Sequence, residues 1–306
     1  MRKLMPLATA AVLALTLSAC SDPTSPGGSD AGDENADDAA TTQFDPLSIE
    51  EVPDIAAMVP ESVASTGQLR NGASTDYAPA EFREGNTPVG YDIQIVQALG
   101  QVMGLEGTTQ HAEFPTIIPA LGTKFDIGAS SFTISPERLE KVNMVSYLEV
   151  GSAFAVAKGN PSGFDPDNPC GSTIGVQTGT YQQELAAQWS AECVEDGLEP
   201  IEVMPLDLQT DVNVKVIGGL WDATFADSPV IGYAVAGSSG KLEEIGEIIE
   251  SEPQGIAIAL DDEQLTVAVQ AAMQHLMDEG YLEAILANYG AENSALSMSE
   301  INPGKK

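Results

Sequence analysis

Three short segments of the sequence hold the side chains best suited to binding a small charged molecule. Arg138 closes the segment 130–138, which reads SSFTISPER, and Gly179 lies within 177–182, QTGTYQ. Asp227 stands between an apolar stretch and the dipeptide Ser228-Pro229. A guanidinium, a glycine turn that exposes backbone N–H groups and a carboxylate together complement a zwitterion, because each offers a charge or dipole opposite to part of such a ligand.

Arg138 occupies an electrostatically unfavourable place in its predicted element. Ser135 suits a helix N-cap and Pro136 suits the first helical position, so a helix is predicted to begin here. Arg138 then falls in the first turn, where the helix dipole disfavours a cation. An anionic ligand held between the guanidinium and free N–H groups would explain this placement. The alternative, a surface arginine paired with Glu137 or Glu140, stays open.

The other two segments also have ordinary structural interpretations. Thr180 and Gln183 have capping-box spacing, so the helix that follows Gly179 either offers unpaired N–H donors to an anion or is simply well capped. Asp227 follows a predicted strand and either meets an ammonium group or caps the next helix. Neither segment identifies a site on its own.

Strand-like and helix-like patterns alternate from Gly67 onward. This alternation predicts α/β layers with largely parallel sheets. In such folds ligands bind beyond the carboxyl ends of the strands, which is where the three segments lie. Strands are predicted at 124–129, 151–157, 174–177, 223–226 and 255–260, and helices at 91–103, from 135, at 181–189, from 228, at 265–280 and at 281–289.

The composition excludes some classes of function. The 306 residues include 46 acidic and 12 basic side chains, for a net charge of -34, which repels nucleic-acid phosphates and anionic lipid surfaces. The three cysteines and two histidines lack the close spacing of a zinc site. We therefore expect no nucleic-acid partner, no bound metal and no cofactor.

The start of the chain resembles a bacterial lipoprotein signal. Arg2 and Lys3 precede an apolar stretch, 4–17, that is short for a membrane span, and the segment ends in Leu17-Ser18-Ala19-Cys20. The resemblance implies cleavage of a signal peptide, residues 1–20, and a lipid on Cys20. The protein would then be anchored at the extracellular face of the cell membrane. The alternative is an ordinary cleaved signal with an incidental cysteine.

Residues 21–65 differ in composition from the rest of the chain. Ser, Asp, Gly, Pro, Ala and Thr dominate the first part, which has too little apolar surface to fold. The segment is predicted to be an acidic flexible tether. Within it, 47–63 is mixed enough to hold a helical turn against the body.

Two cysteines remain once Cys20 is assigned to the lipid. An exported protein meets oxidising conditions, so Cys170 and Cys193 are predicted to form a disulfide. Such a bridge would contribute on the order of 3 kcal/mol to the free energy of unfolding. The alternative is two free buried thiols.

From about Gly67 to Gly290 the sequence resembles the extracellular solute-binding proteins of family 3, the amino-acid-binding components of ABC transporters. Each shared motif is short, but their order and spacing together form a strong signal. The motifs are Asp76-Tyr77-Ala78-Pro79, Gly90-Tyr91-Asp92, Ile118-Pro119-Ala120-Leu121, Phe125-Asp126, 130–138, 175–180, Trp221-Asp222, Asp227-Ser228-Pro229 and Asp278-Glu279-Gly280-Tyr281.

The resemblance implies a fold and a function. The fold is an α/β, two-lobed periplasmic-binding-protein-like fold of type II, with a hinge of two crossing strands. Lobe 1 would comprise 66–150 and 255–306, and lobe 2 would comprise 151–254. The implied function is capture of a polar amino acid between the lobes and its delivery to a transporter permease. We expect a monomer that is not an enzyme.

The resemblance also implies roles for individual residues. Arg138 would bind the ligand α-carboxylate, together with backbone N–H groups at Thr133 and Tyr181. Asp227 would bind the α-ammonium, aided by groups at Ser131 and Thr133. The other implied contacts are the rings of Tyr77 and Phe114, the anion cradle at Thr180, and the side-chain pocket positions Ser74, Ser130, Gln177 and Gln182.

Two departures from the family pattern bear on specificity. Binders of basic amino acids often carry an acid at the position of Ser74, so the serine disfavours lysine and arginine. Glu149 replaces a common residue near the predicted hinge and either enters the pocket or faces solvent. Two alternatives to transport follow from the same fold. One is an enzyme of the cyclohexadienyl dehydratase or peptidoglycan lytic type with Glu81 or Glu149 as general acid, and the other is a sensory lipoprotein.

Overall fold

Two long antiparallel strands, Val142–Ala157 and Leu242–Ala259, organise the computed structural model, which describes residues 43–305. The predicted signal segment with Cys20, and the predicted tether up to residue 42, lie outside the described residues. The strands are β1 Gln68–Ala73, β2 Phe82–Glu84, β3 Thr87–Val89, β4 Glu106–His111, β5 Ile127–Gly128, β6 Val142–Ala157, β7 Thr173–Gln177, β8 Glu202–Leu206, β9 Ala223–Asp227 and β10 Leu242–Ala259.

Eight of these strands form one sheet in the order β4-β1-β5-β10-β6-β9-β7-β8, and β2 pairs with β3 as a separate hairpin. The strands β4, β1 and β5 lie on one side of the two long strands, and β9, β7 and β8 lie on the other. We call the part built around β1 the first lobe and the part built around β7 the second lobe. The long strands pass through both lobes, as expected for a two-lobed protein with a two-strand hinge.

The pairing of β6 with β10 is irregular where the lobes meet. Its register shifts between Ile245 and Ile249, between Ile249 and Glu252, and between Gln254 and Gly255. Each shift interrupts the ladder and bends the strands locally. The sequence boundaries proposed for the lobes, at residues 150 and 254, fall in or beside this stretch and remain predictions.

The prediction of largely parallel sheets is wrong for the centre of the molecule. The outer pairs are parallel, β1 with β4 and β5, and β7 with β8 and β9. The pairs β5–β10, β10–β6 and β6–β9 are antiparallel, because the two long strands cross between the lobes in opposite directions. The strand expected at 124–129 is limited to Ile127–Gly128.

The helices that the sequence predicts in the first lobe begin within two residues of the predicted positions. In α3 and α9 the apolar positions are buried together against the first lobe, among them Val96, Leu99, Val269 and Met273. The α-helices are α1 Pro53–Ala56, α2 Glu61–Ala64, α3 Tyr91–Val102, α4 Phe114–Ile117, α5 Pro136–Leu139, α6 Tyr181–Glu195, α7 Gln209–Ile217, α8 Ser228–Gly237, α9 Glu263–Asp278 and α10 Tyr281–Ala287.

Residues 43–65 correct the tether prediction. They contain α1 and α2, and Ile49, Val59 and Val63 are buried in the core of the first lobe. The ring of Phe44 also stacks on that of Tyr281 at 5.6 Å between centroids. This segment is folded because its apolar residues pack against the first lobe, including α9 and α10.

The second lobe has a core of its own, closed by the predicted disulfide. Phe154 stacks on Phe225 at 4.2 Å, and Trp189 packs against both rings. Cys170 and Cys193 are joined, with their Cα atoms 5.7 Å apart, which confirms the predicted bridge. None of the helices in residues 43–305 has the length and apolar composition needed to cross a membrane.

Candidate functional site

The predicted binding residues surround one cavity between the two lobes. Residues of the first lobe reach it from the segment after β1, from the start of α4, from the segment between β5 and α5 and from α5 itself. Residues of the second lobe reach it from the ends of β7 and β9 and the start of α6. The space at this site that no protein atom occupies, open solvent included, is about 240 Å³. Its lining consists of Tyr77, Glu81, Phe114, Ser131, Thr133, Arg138, Gln177, Thr180, Tyr181, Gln182 and Asp227.

Arg138 is buried at the junction of the lobes, with 6% of its surface exposed. Its Nη1 donates to the carbonyl oxygen of Thr133 at 2.7 Å, and its Nη2 donates to that of Gly179 at 3.1 Å. The guanidinium carbon lies 5.7 Å from the ring centre of Phe114 and 5.4 Å from that of Phe132. These contacts fix the plane of the guanidinium and leave part of its donor fork directed at the cavity.

The surface interpretation of Arg138 is wrong. Glu137 forms an ion pair with Lys141 at 2.6 Å, and no carboxylate in residues 43–305 pairs with Arg138. Burial lowers the pKa of Arg138 from its ordinary value, but arginine stays protonated in proteins. A buried cation without an anion is costly, so this site favours an anionic group from a ligand.

Asp227 is a buried carboxylate whose two oxygens are both oriented by amides. Gln182 donates to Oδ1 and Gln254 donates to Oδ2, each at 2.7 Å. The backbone N–H of Asp227 donates to the hydroxyl of Tyr77 at 3.0 Å. Burial raises the pKa of Asp227 to about 6, although the amide donors act in the opposite direction. The helix-cap interpretation is wrong, because the side chain accepts no hydrogen bond from α8.

Glu81 is a second buried carboxylate of the cavity, with 1% of its surface exposed. The hydroxyls of Ser130 and Ser131 donate to its two oxygens at 2.7 and 3.2 Å. Asp92 lies behind it and accepts hydrogen bonds from the Ser131 N–H at 2.8 Å and the Tyr147 hydroxyl at 2.7 Å. Ser131 therefore links a carboxylate of the cavity to one in the core.

The carboxylates of Glu81 and Asp92 hold protons more tightly than carboxylates exposed to water. Burial raises the pKa of Glu81 well above its ordinary range, and the negative charge of Asp92 raises it further. Burial also raises the pKa of Asp92, to about 6, against the effect of its hydrogen-bond donors. The chemical consequence is a pair that readily keeps a proton when the cavity holds no cation.

Ser131 has a backbone conformation that few residues adopt without support. Its φ is +52°, in the left-handed region, where a residue other than glycine is strained. The hydrogen bonds from its N–H to Asp92 and from its hydroxyl to Glu81 hold it in this conformation. Strain of this kind is concentrated at functional sites because the surrounding structure must enforce it.

The other predicted site residues are also close to the cavity. Ser74 and Ser130 lie behind its lining: the Ser74 N–H donates to the Ser130 hydroxyl at 3.0 Å, and Gln177 Nε2 donates to the Ser74 hydroxyl at 3.0 Å. Thr180 caps α6, as predicted, by accepting from Gln183 N at 3.3 Å. The Tyr181 hydroxyl donates to Glu250 at 2.7 Å. Ten of the twelve predicted ligand residues thus line the cavity.

Sequence reasoning missed part of the site. The sequence indicates Glu81 only as a candidate general acid and predicts no role at the site for Asp92 or Gln254. Gln254 gives no local signal, because the stretch of sequence around it contains no motif. Asp92 gives one, because it belongs to the family motif Gly90-Tyr91-Asp92, and Glu81 gives a weaker one, because it lies between Ala80 and Phe82 just after another motif. Glu149 is exposed and accepts a hydrogen bond from Ser251 at 2.9 Å, so it faces solvent.

A cavity between two hinged α/β lobes, lined by opposite charges, defines the class of two-lobed solute-binding proteins. The family model of bacterial extracellular solute-binding proteins, family 3, matches residues 69–292. The chain belongs to this family, and the expectation drawn from the sequence motifs is confirmed.

Named relatives bind amino acids. The arginine-binding protein ArgT of Corynebacterium glutamicum is 37% identical over 255 residues, which cover 82% of this chain and 83% of that protein. A solved structure of an ancestral arginine-binding protein bound to arginine is 26% identical, with a TM-score of 0.66, and the match covers 73% of this chain and 98% of that one. These similarities support the two-lobed fold.

A third similarity touches on the enzyme alternative. The ancestral amino-acid-binding protein AncCDT-1, described as a precursor of cyclohexadienyl dehydratase, is 26% identical, with a TM-score of 0.64. The match covers 75% of this chain and 98% of that one. That protein is itself an amino-acid binder, so the similarity is to a binding protein from which an enzyme later arose.

Proposed function

We propose that this protein is the substrate-binding component of an ABC transporter, that it captures an L-amino acid with a cationic side chain, and that it delivers this ligand to a permease. Arginine is the first candidate. One observation carries the proposal: a single cavity holds a buried arginine that has no anion partner within residues 43–305, together with two buried carboxylates, Asp227 and Glu81.

The α-carboxylate of the ligand is assigned to Arg138. Its remaining donors would bind the two carboxylate oxygens in a fork, as arginine commonly does. The N-terminus of α6 at Tyr181 and the backbone at Thr133 add N–H donors beside it. Binding there supplies the anion that the buried guanidinium lacks.

The α-ammonium is assigned to Asp227. Gln182 and Gln254 orient this carboxylate, so it needs no rearrangement to accept a third donor. Oxygen atoms of Ser131 and Thr133 also border the cavity, and the rings of Tyr77 and Phe114 flank it. Burial raises the pKa of Asp227, and an ammonium group beside it would lower that pKa again.

The cationic side chain is assigned to Glu81. With the α-carboxylate on Arg138 and the α-ammonium on Asp227, Glu81 is the carboxylate left without a charge partner. A guanidinium or ammonium group is the ligand fragment that would complete it. This assignment reverses the expectation drawn from Ser74, because the acid comes from a different position. The arginine-binding relatives agree with this choice.

We favour binding over catalysis, because the family that the chain belongs to and its named relatives are solute-binding proteins. Glu149, one of the two candidate general acids, is exposed. Production of phenylpyruvate from prephenate by the purified protein, or release of muropeptides from peptidoglycan, would contradict this choice.

We further propose export and anchoring through a lipid on Cys20, with the protein acting as a monomer at the extracellular face of the membrane. Residues 1–20 and the family's extracellular character support this location. Mass spectrometry of the protein purified from membranes of its host tests it. A diacylated N-terminal Cys20 is expected, and an N-terminus elsewhere without lipid would contradict the anchor.

The central experiment is a thermal-unfolding panel. Residues 21–306 are unfolded in denaturant, dialysed to remove bound ligand, refolded and heated with each of the twenty amino acids at millimolar concentration. A ligand at a thousand times its dissociation constant adds about 4 kcal/mol to the free energy of unfolding, a shift of several degrees. We expect arginine to give the largest shift. Equal shifts for all amino acids would contradict the proposal. The absence of a shift with any of them would also contradict it and would favour another solute, the enzyme or a sensory scaffold.

A further inference from the structure

A hydrogen-bonded contact joins the two lobes outside the ligand cavity. Asp76, just after β1 in the first lobe, accepts a hydrogen bond from the backbone N–H of Thr210 in the second lobe at 3.0 Å. The Thr210 hydroxyl donates to the same carboxylate, also at 3.0 Å. Neither residue lines the cavity, and two surface clefts flank the contact.

The helix that begins at this contact lacks a cap from its own lobe. Helix α7 spans Gln209–Ile217, and the residue at its N-cap is Leu208, whose side chain has no acceptor for the free N–H groups. Ser, Thr, Asp and Asn are the residues that usually occupy this place. The missing acceptor is supplied by Asp76 of the first lobe, and its negative charge also suits the positive end of the helix dipole.

The other side-chain hydrogen bonds found between the lobes around the cavity belong to the binding site itself. They join Gln177 to Ser74, Arg138 to Gly179 and Asp227 to Tyr77. Each of these three hydrogen bonds involves at least one residue of the cavity lining, so a ligand in the cavity would lie beside it. The hydrogen bonds between Asp76 and Thr210 involve no residue of the cavity lining.

We infer that Asp76 is a positioning residue that holds the two lobes together by capping α7 across the cleft, without contact with the ligand. The inference rests on the proposed function only in taking lobe closure to be what retains the ligand. Its physical basis is that the cap exists when the lobes are together and is lost to water when they part. The contact therefore favours the closed arrangement equally for every ligand.

Two measurable effects distinguish the loss of this cap from the loss of a ligand-binding residue. Loss of the cap speeds ligand release by a common factor, because it changes the balance between open and closed forms and not the contacts of any one ligand. Loss of the cap also opens the empty protein. Loss of a residue that only stabilised the first lobe would lower the unfolding temperature, but it would neither speed ligand release nor open the empty protein.

The first test compares release rates from the parent protein, residues 21–306, and from Asp76→Ala. Stopped-flow measurements with arginine and with a second, weaker amino acid from the panel should show release about fivefold faster for both, the worth of a typical helix cap. The ratio between the two ligands should not change. Leu208→Ser, which gives α7 a cap from its own lobe, should make Asp76→Ala nearly silent when the two substitutions are combined.

Asp262→Ala is the matched control. Asp262 caps α9 by accepting a hydrogen bond from Leu265 N at 3.0 Å, and both residues belong to the first lobe. This variant also loses one aspartate cap, so its unfolding temperature should fall. Its release rates should equal those of the parent. Unchanged release in Asp76→Ala, or equal acceleration in Asp262→Ala, would overturn the inference.

A second test needs no ligand. Spin labels are placed on Ala187→Cys in the second lobe and Ala287→Cys in the first, both at exposed helix positions. Pulsed electron resonance on the empty protein should show a larger share of long distances in Asp76→Ala than in the parent or in Asp262→Ala. Identical distributions would overturn the inference. If no amino acid binds the parent, the proposed function fails, while this measurement still decides on Asp76.

Discussion

Arg138 of the first lobe donates a hydrogen bond to the carbonyl oxygen of Gly179 in the second lobe at 3.1 Å. The residue assigned to the ligand carboxylate thus also bridges the lobes. Ligand binding and lobe closure share this side chain, so a ligand that engages Arg138 stabilises the closed form directly. The arrangement leads to predictions for the charge anchors, for the response to pH and for the parts of the fold that support them.

Arg138→Ala is expected to remove most of the ligand affinity. It leaves the ligand carboxylate without its cation in a buried site, which costs on the order of 3 kcal/mol, or about a hundredfold in affinity. Isothermal titration with arginine measures the loss. Arg138→Lys, which keeps the charge but not the planar fork, should lose less. Equal affinity in Arg138→Ala and the parent would refute the anchor.

Glu81→Gln tests the side-chain assignment. The substitution keeps the shape and removes the charge, so affinity for arginine and lysine should fall about tenfold to a hundredfold, the worth of a hydrogen bond to a charged group. Affinity for glutamine should change little. Glu149→Gln is the control, because that carboxylate is exposed at the hinge. A uniform loss of affinity for all amino acids would show that Glu81 has a structural role and does not recognise the ligand side chain.

Affinity for a cationic amino acid is expected to rise with pH. Burial raises the pKa of Asp227 to about 6, and that of Glu81 well above its ordinary range, so the empty site holds protons below and around neutrality. Cations of the ligand favour the ionised carboxylates, and binding must therefore release protons. Titrations at pH 5 and pH 7.5, each in two buffers of different ionisation enthalpy, measure both effects. Proton uptake on binding would contradict the prediction.

The same carboxylates set the pH dependence of the empty protein. Asp227 and Asp92 have pKa values of about 6 in the fold, above the ordinary value of 3.8, so the folded state binds more protons than the unfolded chain. The free energy of unfolding should therefore fall as pH rises from about 4 through 6. Asp227→Asn should flatten this slope in denaturant titrations. An unchanged slope in that variant would show that Asp227 ionises freely.

Residues 43–65 should be needed for stability. A chain that starts at residue 66 exposes the core positions of Ile49, Val59 and Val63, at a cost of about 3 kcal/mol or more in the free energy of unfolding. A chain that starts at residue 43 keeps these contacts and should match one that starts at residue 21. Equal denaturation midpoints for the chains from 43 and from 66 would contradict the packing role.

The disulfide is expected to stabilise the second lobe and to have little effect on ligand affinity. Replacing Cys170 and Cys193 with serine removes a bridge over a sequence separation of 23 and should lower the free energy of unfolding by about 3 kcal/mol. Arginine affinity should stay within a few-fold, because the bridge lies away from the cavity lining. A large loss of affinity without a loss of stability would contradict this separation.

Local sequence patterns predicted the residues whose placement depends on a cap or a turn. Ser135 before Pro136 and Thr180 before α6 fix two helix starts, and these starts carry Arg138 and Tyr181 to the cavity. Such signals depend only on residues that are adjacent in the sequence, so they can be recognised without the structure. The family motifs added the two-lobed fold.

Other features depend on packing that no local pattern shows. Glu81 enters the cavity only because Ser130 and Ser131, about fifty residues later, supply its donors. The first half of β10 is rich in glutamate, a poor strand former, and is a strand because β6 pairs with it. Capping of α7 by Asp76 links residues 134 positions apart.

A calorimetric titration of L-arginine into ligand-stripped protein, residues 21–306, tests the central claim most directly. The account predicts binding of one arginine per chain, with proton release at pH 7 and weaker binding of agmatine, which lacks the α-carboxylate that Arg138 would hold. Absence of binding, or equal affinity for arginine and agmatine, would contradict the claim that this cavity captures a cationic amino acid through its zwitterionic head and its side chain.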